Sequence, residues 1–352
     1  MNSNHLNKRL EAIPNTIWGK IAKIDEFKGQ WTAGAQLSSQ ILLRLKKSIL
    51  ITSTGASTRI EGAKLSDEDI EKMMRGLSIK KFTDRDTAEV KGYYELLQKI
   101  FDGWQNIALT ENTIKHFHKE LLKYVDKDER HRGEYKALDN KVVMIDDDGQ
   151  VTGTLFETTP PFLTAKEMLE LVEWTEDAFK KQSYHPLIII GNFIVEFLKI
   201  HPFLDGNGRL SRVLTNMFLL QQGYTYMPYV SHEKLIEDNK SDYYLALRRS
   251  QKTFKTDHED VTPWLDFFLS IVLEQSKRAI ELLSEESIDK LLSPIQLSVW
   301  HYLQTVTEAT PNEISANARV ARPTVNQVLS KLLQLKKIER IGLGRSTRYR
   351  KI

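Results

Sequence analysis

The chain contains no cysteine, which excludes disulfides and zinc sites built on thiolates and fits a reducing compartment. It also lacks a membrane-crossing run. The most apolar stretch, Leu187–Ile200, is interrupted by Asn192, Glu196 and Lys199, and is too short and polar to span a bilayer. The N-terminal segment MNSNHLNKRLEAIPNTIW has no apolar core of the kind a signal peptide needs. The expected setting is therefore the cytoplasm, with no membrane partner. Internal repeats and low-complexity tracts are absent too. What remains is 352 residues, 41% hydrophobic and 28% charged, a composition ordinary for a globular protein and long enough for two or three folding units.

The net charge of +3 conceals an uneven distribution. From Arg319 to Ile352 there are ten Lys or Arg against the single acid Glu339, a local excess of +9 that leaves −6 for the rest of the chain. A basic block confined to the last tenth of the sequence predicts a separate C-terminal module.

Helical periodicity runs through Ala35–Ser48, Asp67–Met74, Asp86–Phe101, Thr110–Tyr124, Ala165–Lys180, Pro186–Ile200, Arg209–Gln222, Ser241–Phe254 and Pro263–Ser284. Ser66 before three acids reads as an N-cap, Pro186 suits a first helical position, and Gly223 stands where a helix-ending glycine belongs. The exception is Lys141–Phe156, where β-branched residues flank Asp148-Gly149, a hairpin signal; TTPPF at Thr158–Phe162 ends it. Acidic Ser284–Asp289 is expected to link to the tail. There, Pro294–Val306, Pro311–Ala318 and Pro323–Lys336 read as helices, and Ile338–Arg350 as two strands joined at Gly342–Gly344. The expected fold is mostly α, a helical core with a β-hairpin followed by a C-terminal winged helix-turn-helix.

The most informative string is His201–Arg212, HPFLDGNGRLSR, lying between two apolar helices. Gly206 and Gly208 permit a tight turn with exposed N–H groups that runs into a helix, a natural anion site. Arg209 and Arg212, three apart, can serve the same helix end. Asp205 can hold magnesium, which prefers one or two carboxylates together with phosphate and water oxygens. His201 can accept a hydroxyl proton near neutrality. The parts together describe nucleotidyl transfer driven by charge stabilisation.

Taken singly, each part has a plainer explanation. A histidine at a helix end is usually structural, and GNG is usually only a turn. The glycine pair is no dinucleotide fingerprint, since a helix precedes it; Gly55 to Lys64 has the wrong spacing for a P-loop. A catalytic transition metal would need the histidines of an HExxH or similar pair, which do not accompany the string.

The whole string resembles the Fic family signature, HPFx(D/E)GN(G/K)RxxR, matching every fixed position, and the similarity extends over most of residues 30 to 275. It takes in the Gly133-Glu134-Tyr135 turn, the hairpin and Tyr243-Tyr244. The resemblance implies an enzyme that transfers AMP from ATP to a Tyr, Thr or Ser hydroxyl of a target protein, the chain itself among the candidates. By motif position, His201 is the general base and Asp205 binds Mg2+. Asn207 and the Gly206 and Gly208 backbone hold the α- and β-phosphates, Arg209 contacts phosphate, and Arg212 pairs with the γ-phosphate. Phe203 is a core anchor. Tyr243, Tyr244 and Gln251 contribute to the nucleotide pocket, Gln251 standing where many members have Asn; Lys136 stands where Arg is commoner. Val142, Val143, Met144 and Ile145 correspond to a flap that holds a target segment by strand addition; an ordinary surface hairpin is the alternative.

Upstream, Ser57-Thr58-Arg59-Ile60-Glu61-Gly62 fits the family's inhibitory pattern, (S/T)xxxE(G/N), with Ser57, Glu61 and Gly62 at its fixed positions. Thr58 and Glu61 also have capping-box spacing. The implied domains are 1–100 with the inhibitory motif, 101–284 catalytic and 290–352 winged helix. The basic tail suits DNA, with Pro323–Lys336 as recognition helix, or a protein-interaction surface such as that of a homodimer. A DNA-binding regulator whose Fic domain is a sensor or subordinate activity is the alternative function.

Overall fold

The computed structural model describes residues 4–34, 39–76, 84–125, 129–145, 151–335, 337–342 and 347–352. It is 70% helical and divides into two compact units, 1–280 and 281–352.

In the first unit, α1 (Asn4–Lys8), α2 (Asn15–Gly34) and α3 (Ser39–Ile60) are followed by the short α4 (Asp67–Met74), then α5 (Asp84–Gly103) and α6 (Glu111–Leu121). The hairpin β1 (Lys141–Ile145) and β2 (Val151–Glu157) leads to α7 (Pro161–Lys181), α8 (Pro186–Ile200) and α9 (Asn207–Gln221). The series ends with α10 (His232–Asp238), α11 (Lys240–Gln251) and α12 (Thr262–Leu291), whose residues from Glu281 on belong to the second unit. Helix α8 is buried on every side, from Leu187 through Leu198, as expected of a helix apolar all round. Helix α9 is almost as enclosed. Together they form the centre from which the signature string is displayed.

Local chemistry sets most boundaries. Ser66 caps α4 in a reciprocal capping box with Asp69. His185 precedes Pro186 at the start of α8, and Gly223, at φ +84°, follows the last turn of α9. Gly55 lies inside α3, where a Cβ would collide with Arg59 and Asp67 side chains, so Gly55–Lys64 is a helix end and not a phosphate loop. Strands β1 and β2 pair antiparallel from Lys141↔Glu157 to Ile145↔Val151, with irregularities after Val142 and Met144. The expected Asp148-Gly149 turn and the start of Ala35–Ser48 lie outside the described residues.

The two units divide at Ile280, four residues before the acidic segment expected to link to the tail. Ser284–Asp289 is helical, because α12 continues through it to Leu291. The segment is acidic but has neither proline nor glycine, so nothing in it stops a helix.

In the second unit, α13 (Pro294–Gln304), α14 (Pro311–Ala318) and α15 (Arg322–Gln334) enclose a core of Val299, Trp300, Ile314, Val325, Val328 and Leu332. Strands β3 (Ile338–Ile341) and β4 (Arg348–Lys351) pair antiparallel, and Ala309 bridges to Tyr349. Gly344 of the expected connecting turn is outside the described residues.

Candidate functional site

The signature loop is bracketed by two left-handed residues. His201, at φ +51°, ends α8, and Gly206, at φ +78°, immediately precedes α9. The left-handed region costs a non-glycine residue about 1–2 kcal/mol, so the turn holds His201 where the chain alone would not. Its Nδ1 faces the Leu198 carbonyl at 3.3 Å. That contact assigns the proton to Nδ1 and leaves Nε2 as the lone pair. Burial, with a smaller effect of nearby Lys136, lowers its pKa to about 4. The imidazole is therefore neutral at pH 7, well below the near-neutral titration that the residue type suggests.

Two groups fix the loop from inside. Asn207, buried at the start of α9, donates from Nδ2 to the Phe203 carbonyl (2.7 Å) and accepts the Phe203 N–H (3.0 Å). Its amide thus closes the turn upon itself. Phe203 is fully buried, and its ring stacks on His118 with centroids 3.8 Å apart. His118 accepts the Gly133 N–H at Nδ1 (2.9 Å), so Nε2 carries the proton and donates to the Asp205 carbonyl at 3.0 Å. Burial lowers the His118 pKa to about 4. Sequence reasoning missed His118: on the apolar face of α6, beside Ile114, Phe117 and Leu121, it looks like any core histidine.

Asp205 projects from the loop with its side chain 37% exposed. Oδ1 accepts the Gly206 N–H at 2.6 Å; Oδ2 meets Arg209 at 3.0 Å and Arg85 at 3.1 Å. Burial opposes its ionisation, but Arg209, the Gly206 N–H and Arg85 outweigh it and hold the carboxyl below the usual range. Arg209 Nη1 also lies 2.7 Å from Glu89. Among the described residues no cluster of three or more His, Cys, Asp or Glu could enclose a metal. One hard carboxylate beside the N-terminus of α9 fits magnesium shared with phosphate and water oxygens, and does not fit an all-protein cage.

Arg212 is the convergence point. It is 2% exposed, and donates from Nε to Ser57 Oγ (2.8 Å) and from Nη2 to the Ser57 carbonyl (2.9 Å) and Glu61 Oε1 (2.8 Å). Among the described residues its buried Nη1 has no hydrogen-bond partner, and it lies 3.4 Å from an ideal Cβ on Gly208. The Ser57–Glu61 spacing has a physical reason: residues four apart share a helix face, so both reach one guanidinium. Gly62, at φ +100°, then ends the helix. The capping-box alternative is corrected. Thr58 is buried near the C-terminal end of α3, its hydroxyl bonding back to Thr54 and Gly55 carbonyls. A Cβ on Gly208 would strike the Glu61 carboxylate. An internal anion therefore lies against the first turn of α9, where N–H groups are left without intrahelical partners.

Tyr243 is buried beside Arg212, its ring 5.1 Å from that of Tyr244 and 5.9 Å from Trp264. Gln251 is buried as well; its Nε2 donates to the Val195 carbonyl at 3.2 Å, and its Oε1 has no hydrogen-bond partner among the described residues. It ties α11 to α8. For Val142, Val143, Met144 and Ile145 the backbone pairing is described and the side chains are not.

Residues 108–219 match the model of the Fic/DOC family. The chain is 26% identical over 127 residues to a probable protein adenylyltransferase of Aquifex aeolicus, covering 34% of this chain and 37% of that one. It is 28% identical over 163 residues to the protein adenylyltransferase Fic of Drosophila willistoni, covering 46% of this chain and 28% of that one. It therefore spans well under half the length of either relative. A solved Fic family protein from Desulfovibrio desulfuricans G20 shares the fold, with a TM-score of 0.63 at 23% identity and 97% of each chain covered.

Proposed function

From this Fic/Fido domain with protein adenylyltransferase homologues, we propose that the chain transfers AMP from ATP to a Tyr, Thr or Ser hydroxyl of a target protein, itself among the candidates, under restraint by Glu61. The observation that carries this is the single turn placing His201, Asp205 and the α9 N-terminus together, with Nη1 of Arg212, which has no hydrogen-bond partner among the described residues, beside Gly208.

The acceptor oxygen attacks the α-phosphorus, its proton passes to His201 Nε2, and the bond from the α-phosphorus to the bridging oxygen breaks to release pyrophosphate. The neutral tautomer set by Leu198 suits that transfer, and the fixed turn pays the cost of orientation before substrate arrives. The α- and β-phosphates would occupy the Gly206–Gly208 N–H groups, with Arg209 beside them and Arg212 on the γ-phosphate. Magnesium, held by Asp205, would neutralise phosphate charge when bound. Tyr243 and Tyr244 would line the nucleotide pocket. Asn207 acts through the loop it closes. The flap β1–β2 would hold the acceptor segment as an added strand. Isotopically labelled ATP supplied to a lysate with the purified protein, read by mass spectrometry against a His201→Ala blank, tests the proposal. Labelled AMP on no protein at all, with Glu61→Gly also silent, would sink it.

The second unit favours an added reading. Its three helices, antiparallel strand pair and the +9 charge of residues 319–352 suit a winged helix-turn-helix that binds DNA phosphates through α15; a second copy of the chain is the competing partner.

A further inference from the structure

The base of the hairpin is tied to the turn that carries His201 by a compact polar cluster. Asn140 stands one residue before β1 and Thr158 one residue after β2. The Thr158 hydroxyl lies 2.7 Å from both the Asn140 carbonyl and Asn140 Oδ1, which draws the two strand ends together. Lys136, 3% exposed, donates from Nζ to Asn140 Oδ1 (2.8 Å), Thr158 Oγ1 (3.0 Å) and the Ile200 carbonyl (3.0 Å). Its own N–H donates to the Pro202 carbonyl at 2.8 Å. Asn140 then crosses to the loop: its Nδ2 donates to the Phe203 carbonyl at 2.8 Å and reaches the His201 carbonyl at 3.5 Å. Two further bonds run from the end of α8 to the end of β2, Lys199 Nζ to the Glu157 carbonyl (2.6 Å) and Thr159 N–H to the Lys199 carbonyl (3.3 Å).

Within this cluster the two ends of the Asn140 amide serve different elements. Oδ1 faces the strand ends and Nδ2 faces the catalytic turn. A buried ammonium with three acceptors has no slack, since each acceptor removed leaves a desolvated charge short of a partner. Burial lowers the Lys136 pKa to about 8, consistent with a cation held in place by geometry.

We propose that Asn140, with Lys136 and Thr158, is a positioning latch that fixes the flap at a set depth relative to His201, and so places the acceptor hydroxyl of a strand docked on β1 within reach of Nε2. The proposal rests on the transferase reading above. In that reaction a misplacement of about 1 Å can cost on the order of 100-fold in rate, so the distance from flap to base is a quantity the fold has to control. Asn140 has no contact with nucleotide in this scheme and acts through His201 and the flap.

Asn140→Asp is the discriminating variant. It keeps an oxygen for Lys136 and Thr158 but removes the N–H that grips the loop. In the full chain carrying Glu61→Gly, kcat for a protein acceptor should fall about 10-fold or more, with ATP affinity by calorimetry unchanged. Amide exchange at Leu204–Gly206 and along β1 should quicken together, while α8 is unaffected. Asn140→Ala should behave alike, and adding Thr158→Ala should cost little more, because both act on one latch. Unchanged exchange at Leu204–Gly206 in Asn140→Asp overturns the latch, and so does loss of ATP affinity in step with activity. Exchange and calorimetry need no transfer, so they decide the latch even if no labelled product forms in the Glu61→Gly parent, a result that sinks only the transferase reading.

Discussion

Glu61 and Arg212, 151 residues apart in sequence, meet at 2.8 Å, and the carboxylate that makes this contact also covers Gly208 at the head of α9. One side chain thus engages the Arg212 guanidinium and lies against Gly208, the two places where the proposed function puts phosphate. Arg212 is buried and keeps its two hydrogen bonds to Ser57 when the carboxylate is removed, so the main effect of Glu61 is on where phosphate can sit.

Removing it should therefore leave the fold intact and raise transfer. Glu61→Gly is expected to increase labelled AMP incorporation on the order of 100-fold at saturating ATP and magnesium, if restraint acts by misaligning the α-phosphate. Arg212→Ala in the same chain should cancel the gain. A folded Glu61→Gly protein no faster than wild type would leave Glu61 as a helix-end residue only.

His201→Ala should abolish transfer while ATP affinity is retained, because the base acts on the acceptor and not on the nucleotide. Calorimetry on the variant separates the two. Undiminished incorporation would remove His201 from that role.

How much of this could be read from the sequence depends on how local each feature is. His201, Asp205, Arg209 and Arg212 fall within one short string between apolar helices, so their proximity was legible from spacing alone. Pro186 and Gly223 mark helix ends by their own backbone limits and were equally legible. The pairing of Arg212 with Ser57 and Glu61 follows helix spacing on one side only; that α3 approaches α9 is a matter of packing. His118, Asn140 and Arg85 carry no local signal. A buried histidine, a loop asparagine and a half-exposed arginine become informative only once Asp205 and Phe203 are beside them. Thr58 and Glu61 mislead because capping spacing is meaningful at a helix N-terminus and they stand at the other end.

Acid should destabilise the first unit through its buried imidazoles. His118 and His201 are each lowered from 6.5 to about 4 by burial. Between those values the unfolded chain binds protons that the folded chain refuses, so the stabilisation is complete above pH 6.5 and is lost as pH falls toward 4. For the fully buried His118 this amounts to at most about 3 kcal/mol. Its protonation would also end the Gly133 N–H bond to Nδ1. Urea midpoints measured from pH 7 to pH 4 should fall, and His118→Gln should flatten the decline. A midpoint indifferent to pH over that window, in both proteins, would contradict the buried neutral tautomer.

The tail offers a test that does not depend on catalysis. Arg319, Arg322 and Lys331 lie on or just before α15, whereas Arg348 and Arg350 are already paired with Glu308 and Glu339. If α15 faces DNA, Arg319, Arg322 and Lys331 are the cations that this element brings to phosphate, and each phosphate neutralised adds about −0.9 to the slope of log K against log salt. Affinity of the full chain for a labelled duplex should then drop steeply between about 50 and 200 mM salt. Charge reversal at Arg322 and Lys331 should weaken binding and flatten the slope by about 2, with Glu61→Gly transfer activity untouched. Arg322 also contacts Asn312 of α14, so a melting curve must show that the variant remains folded. No binding even at low salt would assign the basic surface to protein contact, and sedimentation would then show whether the partner is a second copy of the chain.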